Sequence, residues 1–430
     1  MIVGKERLLH LLGEAAELEH NLLCSYLFAL FSLKQGSDED LTPVELQTLD
    51  RWRDELMGVC IEEMTHLAQV ANLTVAIGNR AHFNRPNIPV AAGYHPASIV
   101  VELTPFDLDT LDHFAFLERP AEHPMPDGAS FAAAPAFVRI PHHGGLMASG
   151  PNYQTIGEFY DVLKALLSDY ARQHGEAALF SGPTDVQLQP HELHVDSLHV
   201  IKSLGDALTA VDAIVKEGEG ASAEAESSHF AMFNRMRADY NELLAKRPAF
   251  KAGRSVGRNP VMHAPVTGGR THLVNPDASR VADAANAAYG LMLRFLGRTL
   301  ETPWSKGELR KRLIEGSVCA MKVVSLLGKA VTRLDAAEAG GAKAGMSFAM
   351  QRVTEGALRD EDALALLTER TAELVQVIPG LPIDRETRDK AGRLLSSWLA
   401  QKTAAGDKGS GGSTAIARGG HVAASHPNAQ

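Results

Sequence analysis

Two helical stretches near the start of the chain each place a carboxylate in the middle of an apolar face. Successive residues lie about 100° apart around a helix, which puts Glu19 near the centre of a broad face of leucines between Leu12 and Leu30. In the second stretch, Glu63 lies near the centre of the apolar face and His66 at its edge. An ionised carboxylate among apolar side chains is costly unless it is paired or bound to a metal. The sequence therefore predicts helices packed around an enclosed polar site.

Glu-x-x-His pairs occur on two of the predicted helices. Residues three apart are neighbours on a helix, so Glu63 and His66 can reach one metal ion together. Glu226 and His229 repeat the spacing, and His229 shares an apolar face with Phe233. Two such pairs, together with one carboxylate from each of two further helices, form the ligand set of di-iron and di-manganese bundles. We therefore predict a dinuclear metal centre.

The remaining carboxylates are less clearly defined by periodicity. Glu158 is the candidate on the predicted helix 155–174, although the helical wheel places it to the side of the apolar face. Glu217, at the edge of its own helical face, competes with Glu226 for the last carboxylate position, and both alternatives stay open. Glu17 forms a Glu-x-x-His sequence with His20 but lies off the face that holds Glu19, so we exclude it as a ligand.

The predicted ligands are carboxylates and imidazoles without thiolates, a set that favours iron or manganese over structural zinc. Cys24, Cys60 and Cys319 form no close pair that could clamp zinc. We expect two iron ions, with manganese as the alternative.

Helical periodicity, broken by Gly and Pro, predicts an all-α chain with two helical regions. Residues 1–250 form a di-metal bundle interrupted by a Pro-rich crossover at about 84–150, residues 251–400 form a second helical region, and the Gly- and Ser-rich residues 401–430 form a disordered tail. The predicted helices are 6–33, 43–77, 106–117, 155–174, 197–217, 223–246, 279–300, 308–334, 346–355 and 361–377.

The charge balance bears on partners and location. The chain has 42 Lys and Arg against 52 Asp and Glu, a net charge of -10, which disfavours binding to nucleic acid. No uncharged apolar run reaches the length that crosses a bilayer, and the first residues carry no secretion signal. We expect a cytoplasmic protein without a membrane or nucleic-acid partner.

Several segments, in the same order along the chain, resemble the ferritin-like domain of iminophenyl-pyruvate dimer synthases, which belongs to violacein- and rebeccamycin-type pigment biosynthesis. They are Ala16–His20, Glu62–His66, Asn72–Gly78, Thr155–Tyr160, Glu217–Gly220 and Ser228–Phe230. The resemblance covers about residues 5–245. It implies a ferritin-like four-helix bundle with long irregular inserts, followed by an additional C-terminal helical region, and it supports Glu158 as a ligand.

Together, the ligand pattern and the resemblance predict a non-heme di-iron oxidase or oxygenase that activates dioxygen on a small organic substrate. The resemblance suggests oxidative coupling of an amino-acid-derived imine. The alternative is a ferritin-like iron-binding or storage protein without an organic substrate. Storage would require a shell-forming oligomer, and the sequence leaves homo-oligomerisation open.

Overall fold

Helices dominate the computed structural model, which describes residues 4–91, 93–96, 99–131, 138–139, 150–218, 227–263, 268–350, 352 and 359–401. The α-helices of these residues are, in chain order, α1 Lys5–Ser32, α2 Pro43–Ala76, α3 Leu108–Leu117, α4 Ile156–His174, α5 Glu176–Leu179, α6 Pro190–Leu193, α7 Leu204–Glu217, α8 His229–Lys246, α9 Pro276–Thr299, α10 Gly307–Val331, α11 Asp360–Val377 and α12 Arg385–Ala400. Short 3-10 turns lie at Ser37–Glu39, Thr184–Val186, Trp304–Lys306 and Ile378–Gly380, and Pro260–Val261 pairs in parallel with Thr271–His272. The all-α prediction is confirmed.

The two long helices α1 and α2 pack against each other and begin and end within one residue of their predicted bounds. The start of α2 is fixed locally by a capping box. Thr42 accepts a hydrogen bond from the Glu45 amide, the Glu45 carboxylate accepts one from the Thr42 amide, and Pro43 occupies the first helical position. These bonds satisfy amides that a helix N-terminus otherwise leaves without partners.

The other two helices of the bundle are each split in the middle. α7 and α8 run in succession along α2: Glu217 at the end of α7 contacts His66, whereas Tyr240 of α8 stacks on Trp52 with ring centroids 5.6 Å apart. Contacts farther along α8 thus fall earlier on α2, so this split helix is antiparallel to α2.

α3 and α4 run along α1 in the same way. Phe114 of α3 contacts Tyr26, with ring centroids 4.6 Å apart, whereas Tyr160 of α4 donates a hydrogen bond to Glu19. This split helix is therefore antiparallel to α1. The breaks after α3 and α7 lie level with the buried carboxylates.

Three predicted helices differ in the structure. The helix predicted from 223 begins at His229, after its cap Ser228. Residues 346–350 of the predicted helix 346–355 are not helical, because polar side chains bind their backbone: Asn286 accepts from the Ala349 amide and Arg85 donates to the Phe348 carbonyl. The helix predicted from 197 begins at Leu204, since Ser203 is its cap. The short helices α5 and α6 and the helix α12 were not predicted.

The C-terminal helices pack directly on the bundle. A Cβ atom at Gly328 of α10 would lie 2.4 Å from the Phe31 ring of α1, so these two helices approach as closely as a glycine permits. Trp304 and Arg310 bind backbone carbonyls in the segment between α5 and α6. The division into domains near residue 250 stays a prediction.

Among the described residues, no helix combines the length and apolar character needed to cross a bilayer. Residues 402–430 of the predicted tail and most of 132–149 in the predicted crossover lie outside the described part of the chain.

Candidate metal centre

The predicted ligands on α1 and α2 face each other at the centre of the bundle. The side chains of Glu19, Glu63 and His66 are almost fully buried. Each offers one donor atom, and these atoms lie within 4.8 Å of one another. Nδ1 of His66 lies 3.4 Å from Glu19 Oε2 and 3.7 Å from Glu63 Oε2. This group has the composition and spacing of a metal-binding site.

A second group shares Glu63 with the first. Glu63, Glu118 and His229 also offer donor atoms within 4.8 Å of one another, and all three are buried. Nδ1 of His229 lies 3.2 Å from Glu63 Oε1 and 3.5 Å from Glu118 Oε1. Because the two oxygens of Glu63 face different groups, the arrangement suits two adjacent ions bridged by this carboxylate.

The outer nitrogen of each histidine is bound by a further carboxylate. Nε2 of His66 lies 3.1 Å from Glu217 Oε2, and Nε2 of His229 lies 2.8 Å from Glu62 Oε2. A carboxylate on one ring nitrogen fixes the orientation of the imidazole and raises the basicity of the other nitrogen. In both histidines, Nδ1 is thereby turned toward the centre.

Two tyrosines hold the outer carboxylates of the centre. Tyr160 donates to Glu19 Oε1, and Tyr26 donates to Glu118 Oε1. Glu19 Oε2 and Glu118 Oε2 are buried without a hydrogen-bond partner, as are both oxygens of Glu63 and Nδ1 of both histidines. Buried polar atoms without partners destabilise a fold by about 1–3 kcal/mol each. Six such atoms in two adjacent groups fit a pair of bound metal ions, which would satisfy them together.

The charges of the centre are unevenly distributed. Burial and the nearby Glu63 carboxylate raise the pKa of Glu19 to about 7. Burial also acts to raise the pKa of Glu63, but the imidazoles of His229 and His66 outweigh it and hold that pKa at about 2. Burial lowers the pKa of both imidazoles, yet the facing carboxylates, led by Glu19 for His66 and Glu118 for His229, raise both well above the ordinary value. Metal binding would replace the protons on these imidazoles.

Comparison with known proteins identifies the family of the chain. A family model described as ferritin-like matches residues 12–238, more than half of the chain. The chain belongs to the ferritin-like family. Dichlorochromopyrrolate synthase of Lentzea aerocolonigenes is 25% identical over 324 residues, which cover 67% of this chain but only 30% of that enzyme. A crystal structure of a ferritin-like protein from Caulobacter vibrioides has a TM-score of 0.49 at 19% identity, covering 79% of this chain and 98% of that one.

In this ferritin-like protein the structure does not bring Glu158 to either group. Glu158 lies in the first turn of α4, half-buried, where its carboxylate accepts a hydrogen bond from the Gln154 amide at 2.6 Å. Carboxylates are stabilised by free amides at a helix N-terminus, so this position satisfies Glu158 without a metal. Two residues later, Tyr160 makes the contact with Glu19.

The choice between Glu217 and Glu226 stays open. Glu226 lies outside the described residues, and Glu217 binds the outer nitrogen of His66, outside both buried groups. Among the described residues, the carboxylate grouped with Glu63 and His229 is Glu118, which was not predicted from the sequence.

Glu118 follows the last residue of α3 at the end of the apolar sequence Phe114-Ala115-Phe116-Leu117. A carboxylate is unfavourable at a helix C-terminus, where unpaired carbonyls carry partial negative charge. A lone Glu at the end of an apolar helix was the signal available in the sequence, and the structure buries it fully.

Proposed function

We propose that this chain is a non-heme oxidase or oxygenase that binds two iron ions and uses dioxygen to oxidise a small organic molecule. The observation that carries the proposal is the pair of buried Glu and His groups that share Glu63. Iron bound there would supply electron transfer to dioxygen, and manganese is the alternative metal.

The side chains take distinct roles in this proposal. Glu63 would bridge the two ions, and Nδ1 of each histidine would bind one of them. Glu19 and Glu118 would each bind one ion through the oxygen that lacks a hydrogen-bond partner. Tyr160 and Tyr26 hold the opposite oxygens and so keep these carboxylates oriented.

Catalysis on an organic molecule is supported by the relative that is named a synthase. The resemblance to iminophenyl-pyruvate dimer synthases makes an amino-acid-derived imine the proposed substrate, with oxidative coupling as the proposed reaction. Because this chain spans 30% of the length of the relative it matches, that protein's whole activity is not transferred. A cytoplasmic location and homo-oligomerisation stay sequence-based expectations.

Metal loading tests the first part of the proposal. Purified protein is stripped of metal, reconstituted with ferrous iron without oxygen, and analysed for iron per chain and for optical spectra before and after air is admitted. We expect about two ions per chain and a spectral change that requires oxygen. One ion per chain, or zinc bound to the exclusion of iron, would contradict the proposal.

Glu17→Ala is a matched control for Glu19→Ala. Glu17 accepts a hydrogen bond from Tyr94 near the surface and belongs to neither group. Its removal should leave the iron content unchanged, whereas removal of Glu19 should lower it strongly.

Turnover tests the second part. Imines generated in solution from aromatic amino acids are offered to the iron-loaded protein, and oxygen consumption and products are followed by electrode and mass spectrometry. Oxygen consumption that depends on the imine supports the oxidase. Uptake of many iron ions per chain with no response to the imine would favour the storage alternative.

A further inference from the structure

A cavity of about 330 Å³ lies where the C-terminal helices meet the segment that follows α2. Its lining comes from residues 80–84, from one side of α9 and the turn after it, from α11, and from Ala349, Met350 and Arg352. None of the residues that form the candidate metal centre lines it. The volume is within the range of pockets that bind small molecules, roughly 300–1,000 Å³.

Guanidinium groups dominate the charge of this cavity. In a chain whose net charge is -10, its described lining contains five arginines and a single carboxylate, Glu301. Arg80 and Arg298 share that carboxylate, Arg298 also pairs with Asp360, and Arg370 pairs with Glu373. Arg352 has no ion-pair partner among the described residues. The arginines are Arg80, Arg294, Arg298, Arg352 and Arg370. Planar guanidinium groups bind carboxylates through two parallel hydrogen bonds, so the excess of arginine suits a ligand that carries a carboxylate.

The rest of the lining is largely apolar. Phe83, Leu293 and Leu367 contribute to the wall, and Leu366 lines it while remaining 55% exposed. Large exposed apolar side chains beside a concave site are typical of ligand-binding surfaces. A bare inorganic anion would leave this wall in contact with water, whereas an organic carboxylate with an apolar body would cover it.

Two glycines of α9 also line the cavity, Gly290 in the interior of the helix and Gly297 in its last turn. Glycine weakens a helix interior relative to alanine. A Cβ atom at Gly297 would meet no atom within 4 Å, so packing does not require a glycine there. Any larger side chain at this position would extend into the open space of the cavity.

We propose that this cavity binds a small organic carboxylate with an apolar body. The site is close to the bundle, because Tyr289 lines the cavity and its hydroxyl hydrogen-bonds Nε2 of His20, the residue after Glu19. The proposal does not depend on metal binding.

The test uses the metal-free, full-length protein and isothermal titration calorimetry with three probes. 3-Phenylpropionate has both a carboxylate and an apolar body, propionate lacks the ring, and 3-phenylpropylamine carries the opposite charge. We expect saturable binding of 3-phenylpropionate, at least about tenfold weaker binding of the other two, and a similar loss in Arg352→Ala.

Gly297→Leu tests whether 3-phenylpropionate binds in this cavity or elsewhere on the protein. The variant should fold like the wild type, as judged by circular dichroism and melting temperature, and should not bind 3-phenylpropionate. Gly392→Leu is the matched control, because Gly392 is an equally open glycine on α12 that does not line the cavity. The proposal is overturned if 3-phenylpropionate does not bind, if the amine binds equally well, or if Gly297→Leu binds like Gly392→Leu.

Discussion

The backbone of Gly218 passes so close to His229 that a Cβ atom at position 218 would lie 2.7 Å from Nδ1 of that imidazole. The same atom would lie 3.3 Å from Glu118 Oε2. Both are atoms that we assign to a metal ion. The break that follows α7 therefore leaves room beside these two ligands only if residue 218 has no side chain.

Gly218→Ala should lower metal affinity while the protein stays folded. The added methyl group would displace His229 from its position between Glu62 and Glu63, and misplacement of a ligand weakens metal binding by roughly 10- to 100-fold, as loss of an outer partner does. Iron titration of the stripped protein measures this. Gly205→Ala on α7 is the control, because the nearest atom to its Cβ is 3.6 Å away. Equal affinities in the two variants would show that residue 218 is not next to a ligand.

Glu118→Ala should abolish binding of one of the two ions, whereas Glu158→Ala should leave the iron content unchanged. Glu118 belongs to one of the two buried groups, and Glu158 accepts a backbone hydrogen bond at the start of α4. Iron per chain after reconstitution distinguishes the two positions. The reverse outcome would restore the ligand set predicted from the sequence.

In metal-free protein at pH 7, Glu63→Leu should be more destabilising than Glu19→Leu. Glu63 is the carboxylate that faces both protonated imidazoles, so its removal takes one anionic partner from each of two buried positive charges. Glu19 resists ionisation, with a pKa near 7, so an apolar replacement removes a group that is unfavourable when charged. Urea unfolding of the stripped variants gives the comparison. A smaller loss of stability for Glu63→Leu would contradict this charge distribution.

Glu14 should contribute stability that disappears in acid. The structure buries this carboxylate against Arg139 and Tyr153. Burial acts to raise its pKa, but the nearby His95 and the hydrogen bonds from Arg139 and Tyr153 lower it to about 2 from the ordinary 4.5. A group whose pKa is lower in the folded state stabilises the fold above its unfolded pKa and loses that effect as the pH falls toward the folded pKa.

At pH 6 the free energy of unfolding should therefore be higher for wild type than for Glu14→Gln. This difference should shrink by about 2 kcal/mol between pH 6 and pH 3. Urea unfolding at both pH values measures it. Glu17→Gln, which removes a carboxylate nearer the surface, is the control. A difference between wild type and Glu14→Gln that does not change with pH would show that Glu14 is not held as an ion pair.

Helical periodicity was sufficient to predict the proposed ligands that lie on α1, α2 and the start of α8. Glu19, Glu63, His66 and His229 are all buried where the wheel places them, because a regular helix converts sequence spacing directly into direction. Periodicity does not account for the burial of Glu14. That side chain lies off the leucine face, but Arg139 and Tyr153 cover it and donate hydrogen bonds to it.

The sequence by itself determined the helical fold, the carboxylate at the centre of each long helix, and the two histidines, since all of these depend on spacing within one helix. The tertiary structure alone decided that Glu118 joins Glu63 and His229, and that Glu217 binds behind His66. Glu118 ends a short helix and meets Tyr26, 92 residues earlier in the chain, only when α3 packs along α1. Such a contact depends on how separate helices pack, and the periodicity of any single helix carries no information about it.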